Sequence, residues 1–150
     1  MGAPRPRSAL ALDVGHRRIG LAGCDPLGIT VTPLPALARG PLLQDLEALL
    51  PLVARRRVAL LVVGLPLDAA QRPTRQAEHC RRYGQRIQDA LRQAGHPLAL
   101  AWVDEHSSSW DAADRFNLHG DRTGRLDSLA AALLLEQWLR DGPEPDDGPS

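Results

Sequence analysis

The run Val58–Gly64, VALLVVG, constrains the fold more than any other stretch. An apolar segment without polar alternation fits a strand buried on both faces, and such a strand needs helices above and below its sheet. The flanking patterns supply them. Pro41–Arg56 sets Leu42, Leu43, Leu46, Leu49, Leu50 and Val53 on one helical face, with Gln44, Asp45 and Glu47 elsewhere. Pro51 falls late in that helix and is expected to bend or shorten it. Thr74–Gly95 reads as a polar helix that starts after Pro73 and stops at Gly95, and Leu98–Val103 as another strand. Upstream, Ser8–Val14, Arg18–Cys24 and Gly28–Thr32 read as three strands joined by tight turns, Asp25-Pro26-Leu27-Gly28 being a turn by composition. Ser107–Phe116 is expected as a short helix and Asp127–Arg140 as the last one. The order β-β-β-α-β-α-β-α-α predicts an α/β fold. Its mixed five-stranded sheet has an antiparallel meander of strands 1–3, parallel strands 4 and 5, and helices on both faces.

A chain of 150 residues suits one domain. We expect it at residues 8–140, between a flexible Pro- and Arg-rich start (residues 1–7) and a disordered acidic tail (residues 141–150). All 18 basic residues are arginines, and the net charge is zero. The tail holds four of the 18 acids (Asp141, Glu144, Asp146 and Asp147) and no base, which leaves residues 1–140 with 18 bases, 14 acids and a net charge of +4. A basic body is compatible with a polyanionic partner. No apolar stretch approaches the roughly 18–20 residues of a membrane span. The two cysteines, Cys24 and Cys80, form neither a CxxC pair nor a secreted disulfide framework. The expectation is a cytoplasmic protein without a membrane segment.

In sheets of this kind ligands gather beyond the carboxyl ends of the strands. There Asp13 closes the first strand, Asp104 and Glu105 close the fifth, and Asp127 opens the last helix. Each has a plainer explanation when taken alone. Asp13 before Val14-Gly15 is as well explained as a turn residue. Asp104-Glu105 fits a solvated approach to a helix, and Asp127 fits a helix cap. As a set they say more, because Ala130, Ala131 and Ala132 would let the last helix lie close to the sheet. Converging carboxylates repel unless cations lie between them, and hard oxygen donors suit Mg²⁺ or Mn²⁺. Two such ions can serve the attacking and leaving oxygens of a phosphodiester.

Four segments carrying these residues resemble the YqgF/RuvX family of Holliday-junction resolvases with an RNase H-like fold. They are LALDVGHRRIGLAGCD (residues 10–25), VVGLPL (62–67), WVDEHSSSWDAAD (102–114) and GRLDSLAAALLLEQWL (124–139), in the family's order. The resemblance implies a divalent-metal nuclease using Mg²⁺ or Mn²⁺. Asp13, Glu105 and Asp127 match its acidic positions, and Asp104 stands as a possible further ligand. It implies nucleic-acid contacts at Arg18 and at the Gly64–Leu67 loop, with Gly64, Leu65 and Pro66, and directs attention to His106, Arg122 and Arg125; Arg72 and Arg75 join these candidates by their charge alone. His106 replaces the usual Arg of the family's Asp-Glu-Arg box, and the loop after Leu67 reads DAAQRPT where the family tends to have Asn-Met-Asp-Gly-Thr. The implied substrates are the 5′ end of pre-16S ribosomal RNA and, by fold analogy, branched DNA. A junction resolvase should be a homodimer, because two symmetric cuts need two sites.

Other signals are softer. Arg55-Arg56-Arg57 reads first as an exposed run compensating a helix dipole. Arg72, Arg75, Arg81, Arg82 and Arg86 are equally compatible with polyanion contact and with a solvated face. Five aromatics in all offer no base-stacking platform. Trp102 and Trp138 read as core, and His16 and His119 as surface. Two rival functions are compatible with parts of the sequence. An Asp-x-Gly strand turn also opens the actin-like phosphotransferases, but those need two such domains, and there is no Walker motif or GxGxxG here. A non-catalytic RNA-binding or ribosome-assembly role is the stronger alternative, favoured if the carboxylates lie apart.

Overall fold

The computed structural model describes residues 7–66, 74–105 and 125–142. Five strands, β1 (Ala9–Val14), β2 (Arg18–Cys24), β3 (Val31–Ala38), β4 (Leu60–Pro66) and β5 (Ala99–Glu105), form one sheet in the order β3-β2-β1-β4-β5. The β1–β2 and β2–β3 pairs are antiparallel, whereas β1–β4 and β4–β5 are parallel. The meander followed by parallel crossovers is the expected topology. Helices α1 (Leu42–Arg56) and α2 (Arg75–Gln93) cover one face, and α3 (Arg125–Asp141) covers the other. The expected helix at 107–116 lies outside the described residues, as do most of the two expected termini.

Alternation along each strand divides the core in two. Leu10, Leu12, Ile19, Leu21, Leu61 and Val63 point to α1 and α2, together with Leu49, Val53, Ile87 and Leu91. Ala9, Ala11, Ala22, Val62, Ala101 and Val103 point to α3, against Ala131, Leu134, Leu135 and Trp138. The α3 side is thus floored mostly by alanines, and a helix can settle close to it. On the other side Gly84 of α2 gives Trp102 room: a Cβ there would come within 3.0 Å of the indole ring. Trp138 is fully buried, while Trp102 is half-buried with the Arg81 guanidinium 5.1 Å from its ring centroid.

Several sequence expectations need correction. The third strand is not Gly28–Thr32 but Val31–Ala38. Asp25 accepts hydrogen bonds from the amides of Leu27 and Thr30, and Gly28 takes a left-handed φ of 71°, so this stretch is a turn despite Ile29 and Thr30. β3 contains Pro33 and Pro35, which are tolerated because the strand lies at the sheet's edge. β4 starts and ends two residues later than VALLVVG, and β5 continues through Asp104 and Glu105. Pro51 does not end α1, which runs five residues further to Arg56. Arg56 is not part of a solvated run: its Nε is buried without a hydrogen-bond partner among the described residues, and its side chain lies over Gly23.

Candidate active site

Because β1, β4 and β5 are parallel, their carboxyl ends share one edge of the sheet. The N-termini of α2 and α3 come to the same edge. Asp13 occurs one residue before the end of β1, and its antiparallel partner on β2 is Gly20. Directly paired residues face the same side of a sheet, here the α3 side, in phase with Ala9 and Ala11. Gly20 is where α3 touches down. A Cβ at that position would lie 2.0 Å from the Asp127 carbonyl oxygen and 3.0 Å from Asp127 Cβ. The missing side chain therefore seats the first turn of α3 beside Asp13 and brings Asp127 onto its face.

Two further contacts fix that turn. Arg18, in phase with Gly20 on β2, places Nε 3.1 Å from Asp127 Oδ2. Ser128 is buried and donates its hydroxyl to the Leu34 carbonyl of β3 at 2.6 Å. Asp127 is the third residue of α3 rather than its opening cap, and a carboxylate in the first turn is favoured by the helix dipole.

On β5, position 105 pairs with Pro66 and is in phase with Ala101 and Val103, on the α3 side. Asp104 falls in the other phase, with Leu100 and Trp102, and is exposed. Backbone alternation thus separates Asp104 from Asp13 and Asp127 and sets position 105 with them. Among the described residues no three His, Cys, Asp or Glu side chains form a group able to hold a metal ion, and the Glu105 side chain lies outside that set.

The expected nucleic-acid contacts divide. Arg18 is at the site and Arg75 is exposed at the start of α2. Gly64 and Leu65 are buried, and only Pro66 of that segment is half-exposed. The Pro66 carbonyl accepts a hydrogen bond from Thr74 Oγ1 at 2.8 Å, and the same hydroxyl caps α2 by accepting from Ala77 N at 3.0 Å. Arg72, His106 and Arg122 lie outside the described residues, as does the side chain of Arg125.

Sequence reasoning missed a second polar group on the α1/α2 side of the same edge. Asp45, fully buried in α1, accepts from Gly40 N and from Tyr83 Oη, each at 3.0 Å. Burial, and then the Asp45 charge, push the Tyr83 hydroxyl far above its ordinary value. Arg39 stacks on the Tyr83 ring at 4.7 Å and donates to the Gly15 carbonyl at 2.8 Å. The same Nη1 lies 2.6 Å from His79 Nε2, and the His79 ring stacks on His16. Partial burial first, then Arg39, His16 and Arg82, hold His79 below the usual histidine value. Asp45 was expected away from the apolar face of α1, yet it is buried with Leu49 and Val53, four and eight residues on, and that spacing was the one available signal.

Comparison with known proteins decides the lineage. The model of the family described as "RuvX: Holliday junction resolvase" matches residues 7–141. The chain belongs to the RuvX family. A protein of Parasynechococcus marenigrum (strain WH8102), named "Putative pre-16S rRNA nuclease", is 64% identical over 141 residues, covering 94% of this chain and 87% of its own. A protein of the same name from Prochlorococcus marinus (strain MIT 9313) is 63% identical over 141 residues, covering 94% and 84%. Thermus thermophilus RuvC, solved with a Holliday junction substrate, superposes with a TM-score of 0.57 over 93% of this chain and 99% of its own. At 14% identity that likeness establishes the RNase H-like fold alone. This RuvX protein is a nuclease by family, as its sequence implied. None of its described helices is long and apolar enough to cross a membrane.

Proposed function

We propose that this RuvX protein is a divalent-metal-dependent nuclease whose preferred substrate is precursor 16S ribosomal RNA, with Asp13, Glu105 and Asp127 as its metal-binding residues. The observation that carries this reading is the contact of α3 on Gly20, which sets Asp127 beside Asp13 on one face of the sheet. The donor chemistry fits Mg²⁺ or Mn²⁺: carboxylate oxygens at a solvent-accessible strand edge, without thiolate or imidazole between them. When bound, such an ion lowers the pKa of water and offsets charge on the phosphodiester oxygens.

The chain's own groups do the rest. Asp13 is held by the β1–β2 ladder, so its position is set by the sheet rather than by a loop. Arg18 orients the Asp127 carboxylate and reduces repulsion between the two acids. Phase puts Glu105 ahead of Asp104 as the third donor. The choice of RNA rests on the names of relatives more than 60% identical to this chain.

A second reading, cleavage of branched DNA, is favoured by the family description and the RuvC-like fold. It requires two copies related by a two-fold axis, with α3 or the β3 edge as the surfaces for pairing. An rRNA substrate and two buried free cysteines suit the cytoplasm.

The test is a cleavage assay with Mg²⁺ and with Mn²⁺ on a pre-16S rRNA fragment, single-stranded DNA and a four-way junction. Wild type is compared with Asp13→Asn, Glu105→Gln, Asp127→Asn and Asp104→Asn. We expect RNA cleavage that the first three substitutions abolish and Asp104→Asn spares. Cleavage of the junction alone would favour the second reading. Failure to cut any substrate with either metal would leave the non-catalytic binding role.

A further inference from the structure

The basic group on the α1/α2 side of the catalytic edge has no part in the chemistry above. Arg39 follows β3 directly, and its backbone amide donates to the Arg17 carbonyl at 2.9 Å. Its guanidinium is pinned by the Tyr83 ring beneath, by the Gly15 carbonyl and by His79. Among the described residues, all of its side-chain hydrogen bonds leave from one nitrogen, Nη1. The acid nearest in this network, Asp45, is occupied by Gly40 N and Tyr83 Oη and forms no ion pair with Arg39. His16 is exposed and stacks on His79 with 5.9 Å between ring centroids. Arg82, also exposed, is three residues after His79 on α2 and so on the same helical side. This is a cluster of two arginines and two hydrogen-bonding imidazoles in which the Arg39 guanidinium is already immobilised. Pre-ordering of that kind lowers the entropy lost when an anion binds.

Its position gives the anion an identity. The Gly15 carbonyl that Arg39 grips is two residues beyond Asp13, a backbone span of at most about 7 Å. We propose that His16, Arg39, His79 and Arg82 form a phosphate cradle for the sugar–phosphate backbone of the substrate strand. The strand would rest there with the phosphates next to the one being cut, wrapping from the α3 side over the β1–β2 turn. The inference rests on the nuclease reading for the strand's direction, and on the cluster itself for the charge it takes. Phosphate contacts of this sort position a polymer without reading its sequence.

The test is fluorescence anisotropy of a labelled single-stranded RNA with the full chain in EDTA, titrated over a range of salt concentrations. Each phosphate contact removed lowers the slope of log K against log salt by about 0.7 for a single strand. We expect Arg82→Gln and Arg39→Gln each to lower that slope, and these two and His16→Gln each to weaken binding by about 2- to 10-fold. Arg92→Gln, at the far end of α2 beside Asp89, should change neither. Arg82 and His16 are exposed, so their variants keep the test valid if Arg39→Gln fails to fold. An unchanged slope in Arg82→Gln together with unchanged affinity in His16→Gln would overturn the cradle, as would an equal loss in Arg92→Gln. Cleavage in Mg²⁺ is scored separately. A wild type that cuts RNA while the slopes stay fixed refutes only the cradle, whereas altered slopes without cutting refute only the nuclease.

Discussion

Replacing Gly20 by alanine is the sharpest test of how the site is assembled. The added methyl would lie 2.0 Å from the Asp127 carbonyl oxygen and 2.3 Å from its carbon, both helix backbone atoms that cannot rotate away. Raising 2.0 Å to an ordinary 3.4 Å contact requires the first turn of α3 to move by about 1.4 Å. Overpacking of this kind costs about 1–3 kcal/mol, or roughly 2–12 °C in Tm for a domain of this size. The functional loss should be larger, since a displacement of about 1 Å at a catalytic group can cost about 100-fold in rate. Moving Asp127 away from Asp13 should therefore lower kcat by about two orders of magnitude in protein that remains folded. Gly95→Ala is the control. Gly95 has φ of 96° with open space around it at the far end of α2, so alanine there costs about 1 kcal/mol or more through backbone strain alone. Thermal melts and single-turnover cleavage of both variants separate instability from misplacement. A Gly20→Ala protein that melts like wild type and cleaves within about 3-fold of it would refute the claim that this contact builds the site.

Three other perturbations have defined outcomes. Arg18→Gln removes an ion pair whose side chains are 37% and 32% exposed, so Tm should shift by less than about 1 kcal/mol equivalent, while cleavage falls at least about 10-fold as Asp127 loses its orientation. Tyr83→Phe leaves buried Asp45 with an unpartnered oxygen and should destabilise the fold by about 1–3 kcal/mol in denaturant titration, without abolishing cleavage. His79 is held below its ordinary value of 6.5, so the unfolded chain binds its proton more readily. Its contribution to stability is thus present above that value and is lost as pH falls through the lower folded value. Wild-type Tm should drop from pH 7.5 toward pH 5, and His79→Gln should flatten that part of the profile.

What could be read from the residues was set by periodicity. The two-sided burial of β4, the amphipathic face of α1, the start and stop of α2, and the strand–Asp–turn–strand start all follow from local pattern. β3 was misplaced because propensity favours Ile29-Thr30-Val31, whereas the Asp25 side chain and the left-handed Gly28 hold that stretch in a turn. The edge position that lets Pro33 and Pro35 join a strand is a property of the assembled sheet. The acids were legible as strand-end and helix-start residues, but their meeting depends on Gly20, and a missing side chain gives little signal in a linear reading. Asp104 and Glu105 could not be told apart until β5 was seen to run through both, when alternation gave them opposite faces. The Arg39–Tyr83–Asp45 network joins residues 38 and 44 positions apart, beyond the reach of any motif.

The two prolines of β3 also bear on how copies of this chain can meet. An open sheet margin normally offers a row of amide donors to which a neighbouring molecule can add its own backbone. Pro33 and Pro35 carry no such donor, and the register with β2 shifts between Leu34 and Leu37. Ladder growth across that margin is interrupted near its middle. A twofold pair of this RuvX protein built on the β3 margin would have to be cemented there by side chains.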